Sequence, residues 1–190
     1  ITGSNARLLS GELTSYLGGR YVEFVIYPFS FSEFLELYQP IAPQATPAQC
    51  FQKYLLAGGM PYLANLRYED APSRQYLNDI FNSVQLKDII QRNQIRDVDL
   101  LERILRYVIV NTGTSFSASS LSKFLKSEQR KVSPETIHNY IRYCCDAYLI
   151  YQMNCQDLTG KQILSTNEKY YIADHGIREA VFGGNMRDIN

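Results

Sequence analysis

Residues 122–143 hold the densest set of side chains that could do recognition chemistry. Lys123, Lys126, Arg130, Lys131 and Arg142 stand against Glu128 and Glu135, five cations minus two anions, a local surplus of +3. His138, Asn139, Arg142 and Tyr143 recur at spacings that put them on the outward face of one helix. Such donors can contact phosphates or base edges of duplex DNA. The competing reading of the same residues is a solvated surface in a domain that docks on protein. Other candidates are thinner. Cys50, Cys144, Cys145 and Cys155 form no CxxC pair, and two histidines are few for zinc. Cys144 and Cys145 are expected to split between a buried and a rim position. The glycine pairs at 18–19, 58–59 and 183–184 lack the G-x-x-x-x-G-K-[ST] context of a phosphate loop and read as helix stops or turns. Asp174 and His175 are neighbours whose side chains diverge, with no nucleophile in view. Carboxylate pairs such as Glu33 with Glu36, or Asp97 with Asp99, sit at helix starts, where the helix dipole favours them.

The chain that must position these residues has 190 residues, 45% of them hydrophobic and 13% aromatic, which suits one large domain or two small ones and excludes disorder. Lys plus Arg and Asp plus Glu both total 19, so no net field steers nucleic acid toward the molecule and a local patch must supply any attraction. No run approaches the roughly 20 apolar residues of a membrane span, and no signal peptide opens the chain. The expectation is a cytoplasmic protein with reduced thiols and no membrane partner. A start at Ile1-Thr2-Gly3 without an initiator Met reads as a piece of something longer.

Leu8, Leu9, Leu13 and Leu17 fall at helical spacing before Gly18-Gly19, and Tyr21–Tyr27 reads as a strand ending at Pro28. Ser30 and Glu33 form a capping box, with Phe29 and Phe34 as its staple. Residues 40–47 read as a connector. A helix follows from Pro47, with Phe51, Tyr54 and Leu55 on one face, and stops at Gly58-Gly59. Beyond Glu69–Pro72 a longer helix carries Leu77, Ile80, Phe81 and Val84, and residues 86–96 read as its solvated end or a loop. Asp97, Ser117 and Ser133 are placed to cap three further helices, the last with Pro134 at its first position. Leu149–Met153 and Gln162–Leu164 flank the turn residues 157–160 as a hairpin. Three short helices and a hairpin spell a winged helix-turn-helix. Lys169–Ala173 reads as a strand leading into a further element. The expected class is mainly α with small β elements (α+β).

Ile1–Ala6, Gly19-Arg20-Tyr21 and Pro28–Phe34 resemble the second half of an AAA+-type ATPase core. Gly58-Gly59-Met60-Pro61, Leu86-Lys87-Asp88 and Lys169–Gly176 are similar to the same family further along. Its bacterial and archaeal members join an ATPase domain to a winged helix and a region resembling restriction endonucleases. The resemblance implies four regions: the end of an AAA+-like core (1–40), a helical connector or lid (41–96), a winged helix (97–168), and the start of a C-terminal domain (169–190). It also implies ATP and Mg in the parent protein, with both Walker segments upstream of Ile1, so that this piece alone does not hydrolyse ATP.

By the same resemblance, Asn5 orients the attacking water and Arg20 stabilises charge on the γ-phosphate, with Ser4 and Arg7 as the neighbouring nucleotide-binding candidates. The plainer alternative is that Asn5 ends a strand and Arg20 pairs with a carboxylate such as Glu23. The winged helix is then expected to couple nucleotide state to duplex DNA or to a protein, with self-association through the ATPase core as a further partnership. A regulator of transcription type, with residues 97–173 as DNA reader on a non-catalytic helical scaffold, is the alternative.

Overall fold

Helix starts in this chain are written by short polar side chains, and the computed structural model, which describes residues 5, 6, 20, 22, 24–156 and 163–186, shows most of them in place. Ser30 opens α1 (Phe31–Tyr38) with a complete capping box: its hydroxyl accepts from the Glu33 N–H, while Glu33 accepts from the Ser30 N–H at 2.8 Å. The Ser30 hydroxyl, which also donates to Glu33 Oε2 at 2.7 Å, and then the Ser30 N–H hold the Glu33 carboxyl below its usual range. Thr46 and Gln49 repeat the device ahead of α2 (Pro47–Ala57). A 3-10 turn (Pro61–Ala64) precedes α3 (Asp70–Ser83).

The chain then runs into a π-helical stretch, Val84–Gln91, with five-residue bonds such as Arg92 N–H to Lys87 O and Ile95 N–H to Ile90 O just after it. Residues 86–96 are therefore not simply a solvated end. Ile89 is fully buried and Ile95 nearly so, because the wider turn swings apolar side chains inward that an α-helical spacing leaves outside.

Two units emerge, each interrupted in sequence by the other: one of Ile1–Gly19 with Leu86–Ile172, the other of Arg20–Gln85 with Ala173–Asn190. In the first, Asp97, Ser117 and Ser133 accept from N–H groups three residues on and start α4 (Val98–Val110), α5 (Ala118–Ser127) and α6 (Pro134–Asp146). Gly113, at φ 78°, makes the turn after α4 and donates to Tyr170 O. β1 (Ser115–Phe116), β2 (Ile150–Gln156) and β3 (Ile163–Ile172) form an antiparallel sheet in the order β1-β3-β2. Ile150 faces Ile172 and Phe116 faces Glu168, and the β2–β3 register shifts between Met153 and Cys155. The core of this unit is Leu101, Ile104, Leu105 and Ile109 of α4, Leu121 and Leu125 of α5, and Ile137, Ile141 and Cys144 of α6.

The second unit packs α1, α2 and α3 with α7 (His175–Met186). Phe34 is its centre, in ring contact with Phe31, Tyr38, Tyr54 and Tyr68. On α2, Cys50 and Ala57 are the buried positions and Phe51 and Leu55 are partly exposed, so its inward face is turned from the one the apolar spacing predicts. Residues 169–172 finish β3, and α7 packs on α2 and α3. The segment expected to begin a new domain thus splits, its strand serving one unit and its helix closing the other.

The strand expected over Tyr21–Tyr27 is not seen at its described residues: 22 and 24–27 belong to no helix or strand, with Val22, Phe24 and Ile26 at 77%, 82% and 86% exposure. A strand needs a neighbouring ladder for its N–H and C=O groups, and the described sheet, β1-β3-β2, does not include these residues. The expected helix over residues 8–17 and the hairpin tip at 157–160 lie outside the described residues. The α+β class stands, mostly helix with one small sheet.

Candidate functional site

α6 starts at the Ser133 cap, and along it Ile137, Ile141 and Cys144 turn inward and His138 and Arg142 outward, with Asn139 and Tyr143 at the rim. Arg142 Nη2 donates to Asn139 Oδ1 at 2.9 Å, and its guanidinium lies 5.6 Å from the Tyr143 ring centroid. The four residues drawn together in the sequence do share one face.

His138 Nδ1 is 4.0 Å from Glu168 Oε2, and its ring meets Phe116 edge-on at 6.4 Å. Glu168 also accepts from the Tyr170 hydroxyl at 2.5 Å. Burial first, and then this bond, push the Tyr170 phenol far above its usual range. His138 is thereby tied to β3 at one edge while half of it stays in solvent.

Lys123 and Lys126 on α5 and Lys131 in the loop before α6 are exposed. Arg130 is not a free cation: it pairs with Asp99 and lies 3.8 Å from Asp97, both at the start of α4. Arg103 completes the network, 3.2 Å from Asp99 and 3.0 Å from Glu128. Sequence reasoning missed this because the acids stand some thirty residues upstream of Arg130 and face it only once α4 and the end of α5 are in place. Pairing lowers the charge balance. Arg130 and Arg103 meet Asp97, Asp99 and Glu128 in a network of two cations and three anions, −1, while Lys123, Lys126, Lys131 and Arg142 stand against Glu135, four minus one, so the sum falls from +3 to +2.

The cysteines of α6 split as the sequence implied, Cys144 buried and Cys145 partly so. Burial drives the Cys144 thiol far up and the Cys145 thiol up to about 12, the latter helped by Asp146 and Glu168. Both stay protonated near neutrality, which removes them as nucleophiles. Among the described residues no group of three or more His, Cys, Asp or Glu could hold a metal ion, and no helix is long and apolar enough to cross a membrane.

Of the nucleotide-side candidates, Asn5 is 2% exposed and belongs to the unit of residues 86–172, whereas Arg20 is exposed and belongs to the other. Ser4 and Arg7 lie outside the described residues, as does Glu23.

A second constellation was not drawn together by spacing at all. The Asp174 carboxylate, 2% exposed, accepts from Gly59 N–H at 2.7 Å and from Ile177 N–H at 3.0 Å. His175 Nε2 donates to Tyr54 O at 2.8 Å, Tyr54 donates its hydroxyl to Phe29 O at 2.8 Å, and Phe29 N–H donates to Gly59 O at 2.7 Å. The glycines are forced by space. A Cβ on Gly58, which sits at φ 80°, would fall 2.2 Å from Asp174 Oδ1; one on Gly59 would meet Phe29 O at 2.2 Å, and one on Gly176 Ala57 O at 2.0 Å. Gly58-Gly59 and Asp174-His175-Gly176 are two halves of one interlock. With all of these bonds taken up inside the protein, it positions helices and offers no reactive group.

Residues 48–188 match the family described as Domain of unknown function (DUF8612), and residues 1–35 match the AAA domain family. An uncharacterized protein of Haemophilus influenzae is 38% identical over 184 residues, which is 96% of this chain and 45% of that protein. An uncharacterized protein of Methanocaldococcus jannaschii is 29% identical over 183 residues, 92% of this chain and 40% of the relative. The chain thus spans less than half the length of both curated relatives. No solved structure matches.

Proposed function

The chain belongs to the family described as Domain of unknown function (DUF8612), with a match to an AAA domain ahead of it, and from this we propose that it is the coupling portion of an AAA-type ATPase. In this reading the unit built on residues 97–172 is a winged helix that links nucleotide state to a partner, and duplex DNA is the partner its chemistry fits best. The observation that carries the reading is the outward face of α6. It sits among three helices backed by a sheet of order β1-β3-β2, and a surplus of +2 remains around it once the ion-pair network is counted.

The exposed apolar side chains of Val22, Phe24 and Ile26 support the AAA half, because they lie within the segment matched to the AAA family and such surface ordinarily packs against further protein. ATP and Mg are assigned to the parent protein. Asn5 would orient water there and Arg20 would meet the γ-phosphate, whether of its own subunit or a neighbour's. The 190 residues hold no phosphate-loop motif, and the chain by itself is not expected to turn over ATP.

Fluorescence anisotropy with a labelled random duplex, at low and moderate salt, tests the DNA half. Binding that weakens steeply with salt, and a slope that drops by about 0.9 for each lysine removed among Lys123, Lys126 and Lys131, is the expected result. Absence of binding at micromolar protein and low salt transfers α6 to a protein partner. Arg20→Ala in the full-length protein should abolish ATP turnover without unfolding it. Undiminished turnover would favour the DNA-binding regulator on a non-catalytic scaffold.

A further inference from the structure

The cations around α6 are of two kinds. Lys123, Lys126 and Lys131 are exposed and make no ion pair or hydrogen bond among the described residues, so their ammonium groups are free to swing. Arg142 makes no ion pair either, yet its guanidinium is held at two points. Nη2 donates to Asn139 Oδ1 at 2.9 Å, and the Tyr143 ring centroid lies 5.6 Å away. A long side chain on a helix leans toward the helix N-terminus, which is how residue 142 meets residue 139 one turn back. A free ammonium suits a phosphate, which asks only for charge. A guanidinium fork fixed in direction suits a flat pair of acceptors.

The same bond changes what Asn139 can offer. Its Oδ1 is turned to the guanidinium, so the amide shows only N–H groups to a partner. Bidentate reading of adenine needs the amide oxygen as well as the amide N–H. Asn139 and Arg142 together therefore present donors alone. In the major groove of duplex DNA the base edge with two acceptors and no donor is that of guanine, O6 with N7.

Glu135 extends the line. At i, i+4 and i+7, Glu135, Asn139 and Arg142 run along one face of α6 for about 10 Å, the length of about three base-pair steps. Glu135 is exposed, and no described cation stands within ion-pair distance of it. A carboxylate repels phosphates and can only accept, and its fitting partner at a base edge is the cytosine N4 amine. His138 stands beside this line, tied to Glu168 of β3.

We infer that the outward face of α6 selects G·C pairs in the major groove. Arg142 takes guanine O6 and N7, Asn139 is its positioning residue, and Glu135 accepts from cytosine N4 at a neighbouring pair. Lys123, Lys126 and Lys131 hold phosphates and add no preference among bases. This inference rests on the reading of α6 as a duplex-binding face and names the base pairs that the face selects.

The test is competition anisotropy. The 190-residue chain is bound to a labelled random duplex and displaced by unlabelled duplexes of equal length, built only of G·C, of inosine·C or of A·T pairs. Inosine keeps O6 and N7 and lacks only the minor-groove amine. G·C and inosine·C should compete alike, and A·T about tenfold or more less well. Replacing guanine by 7-deazaguanine, which has no N7, should remove most of that advantage. Arg142→Ala should bring the ratio of G·C to A·T affinity to about one, and Asn139→Ala should lower it several-fold. Lys131→Ala should weaken every duplex to the same degree, a change that leaves the ratio alone. Glu135→Ala should weaken binding to G·C even though it removes a negative charge; a rise for G·C and A·T alike overturns the role of Glu135. Equal competition by G·C and A·T, with salt-sensitive duplex binding retained, overturns the selection of G·C and leaves the duplex-binding face standing. An unchanged ratio in Arg142→Ala does the same. Failure to bind any duplex at micromolar protein and low salt removes the duplex reading and this inference with it.

Discussion

In the unit of residues 86–172 each helix starts on a cap three residues from its donor, Asp97 to Leu100, Ser117 to Ser120 and Ser133 to Thr136. In the other unit the decisive bonds span 115 residues, from Asp174 to Gly59, and 121 residues, from His175 to Tyr54. The first unit keeps a fairly neutral interior and puts its chemistry on an exposed helix face. The second also has local caps at Ser30 and Thr46, yet it buries a carboxylate among glycines. Local signals suffice to outline the helices of the first, whereas in the second a loop must close over more than half the chain before its glycines have any purpose. The candidate face therefore belongs to the unit held by local signals, and the steric constraints are sharpest where the second unit closes at long range.

Gly58→Ala should give the largest effect of any single change considered. It adds left-handed backbone strain and drives a Cβ into the Asp174 carboxylate, which two N–H groups hold in place, for a loss of about 4 kcal/mol. Urea unfolding measures the loss. Hydrogen exchange should accelerate in residues 29–59 and 174–183 well before 97–150, and equal acceleration in both units would erase the contrast drawn here.

The pH dependence of stability probes the same interlock. Burial raises the Asp174 carboxyl above its ordinary value, outweighing the Gly59 and Ile177 N–H groups and the neighbouring His175, which lower it. The folded chain then holds this proton more firmly than the unfolded chain. The associated stability is fully present below the unfolded carboxyl value and is lost as pH rises through the higher folded one. Asp174→Asn should cost stability at every pH and flatten this decline. An unchanged slope between about pH 4 and pH 7 in urea midpoints would remove Asp174 as its source.

Ser133→Ala should cost about 1 kcal/mol, since losing the cap takes the acceptor from the Thr136 N–H of α6 while water still reaches it. A loss much larger than that would mean that the cap also fixes the rotation of α6 and hence the face carrying His138 and Arg142. The smallest effect is expected from Arg130→Ala, under about 1 kcal/mol, because its pairs with Asp97 and Asp99 are on the surface and open to salt. Duplex binding by this variant, set beside Lys131→Ala, sharpens the charge assignment. Lys131 should matter and Arg130 should not.

The helices from Asp97 onward were legible because each carries its own start signal and a regular apolar stripe. The outward set His138, Asn139, Arg142 and Tyr143 followed from the same spacing. Residues 86–96 do form a mostly exposed helix end and loop, but the π-helical stretch and the burial of Ile89 and Ile95 were not legible, and on α2 the spacing did not tell that Tyr54 turns to Phe34 while Phe51 and Leu55 stay partly exposed. The strand at 21–27 was read from composition, which reports what a segment can pair with and not whether a neighbour is present.

By itself the sequence determined the α+β class, the caps and rotations of the helices after residue 97, and the surplus of positive charge around α6, because all of these depend on residues within a few turns of one another. Only the tertiary structure decided that Arg130 is spent on Asp97 and Asp99, and that Gly58, Gly59 and Gly176 exist to let Asp174 and the Phe29 and Ala57 carbonyls come close. Those facts depend on distances across chain separations of up to 119 residues, from Ala57 to Gly176, and a linear pattern carries no information about which far segments will meet.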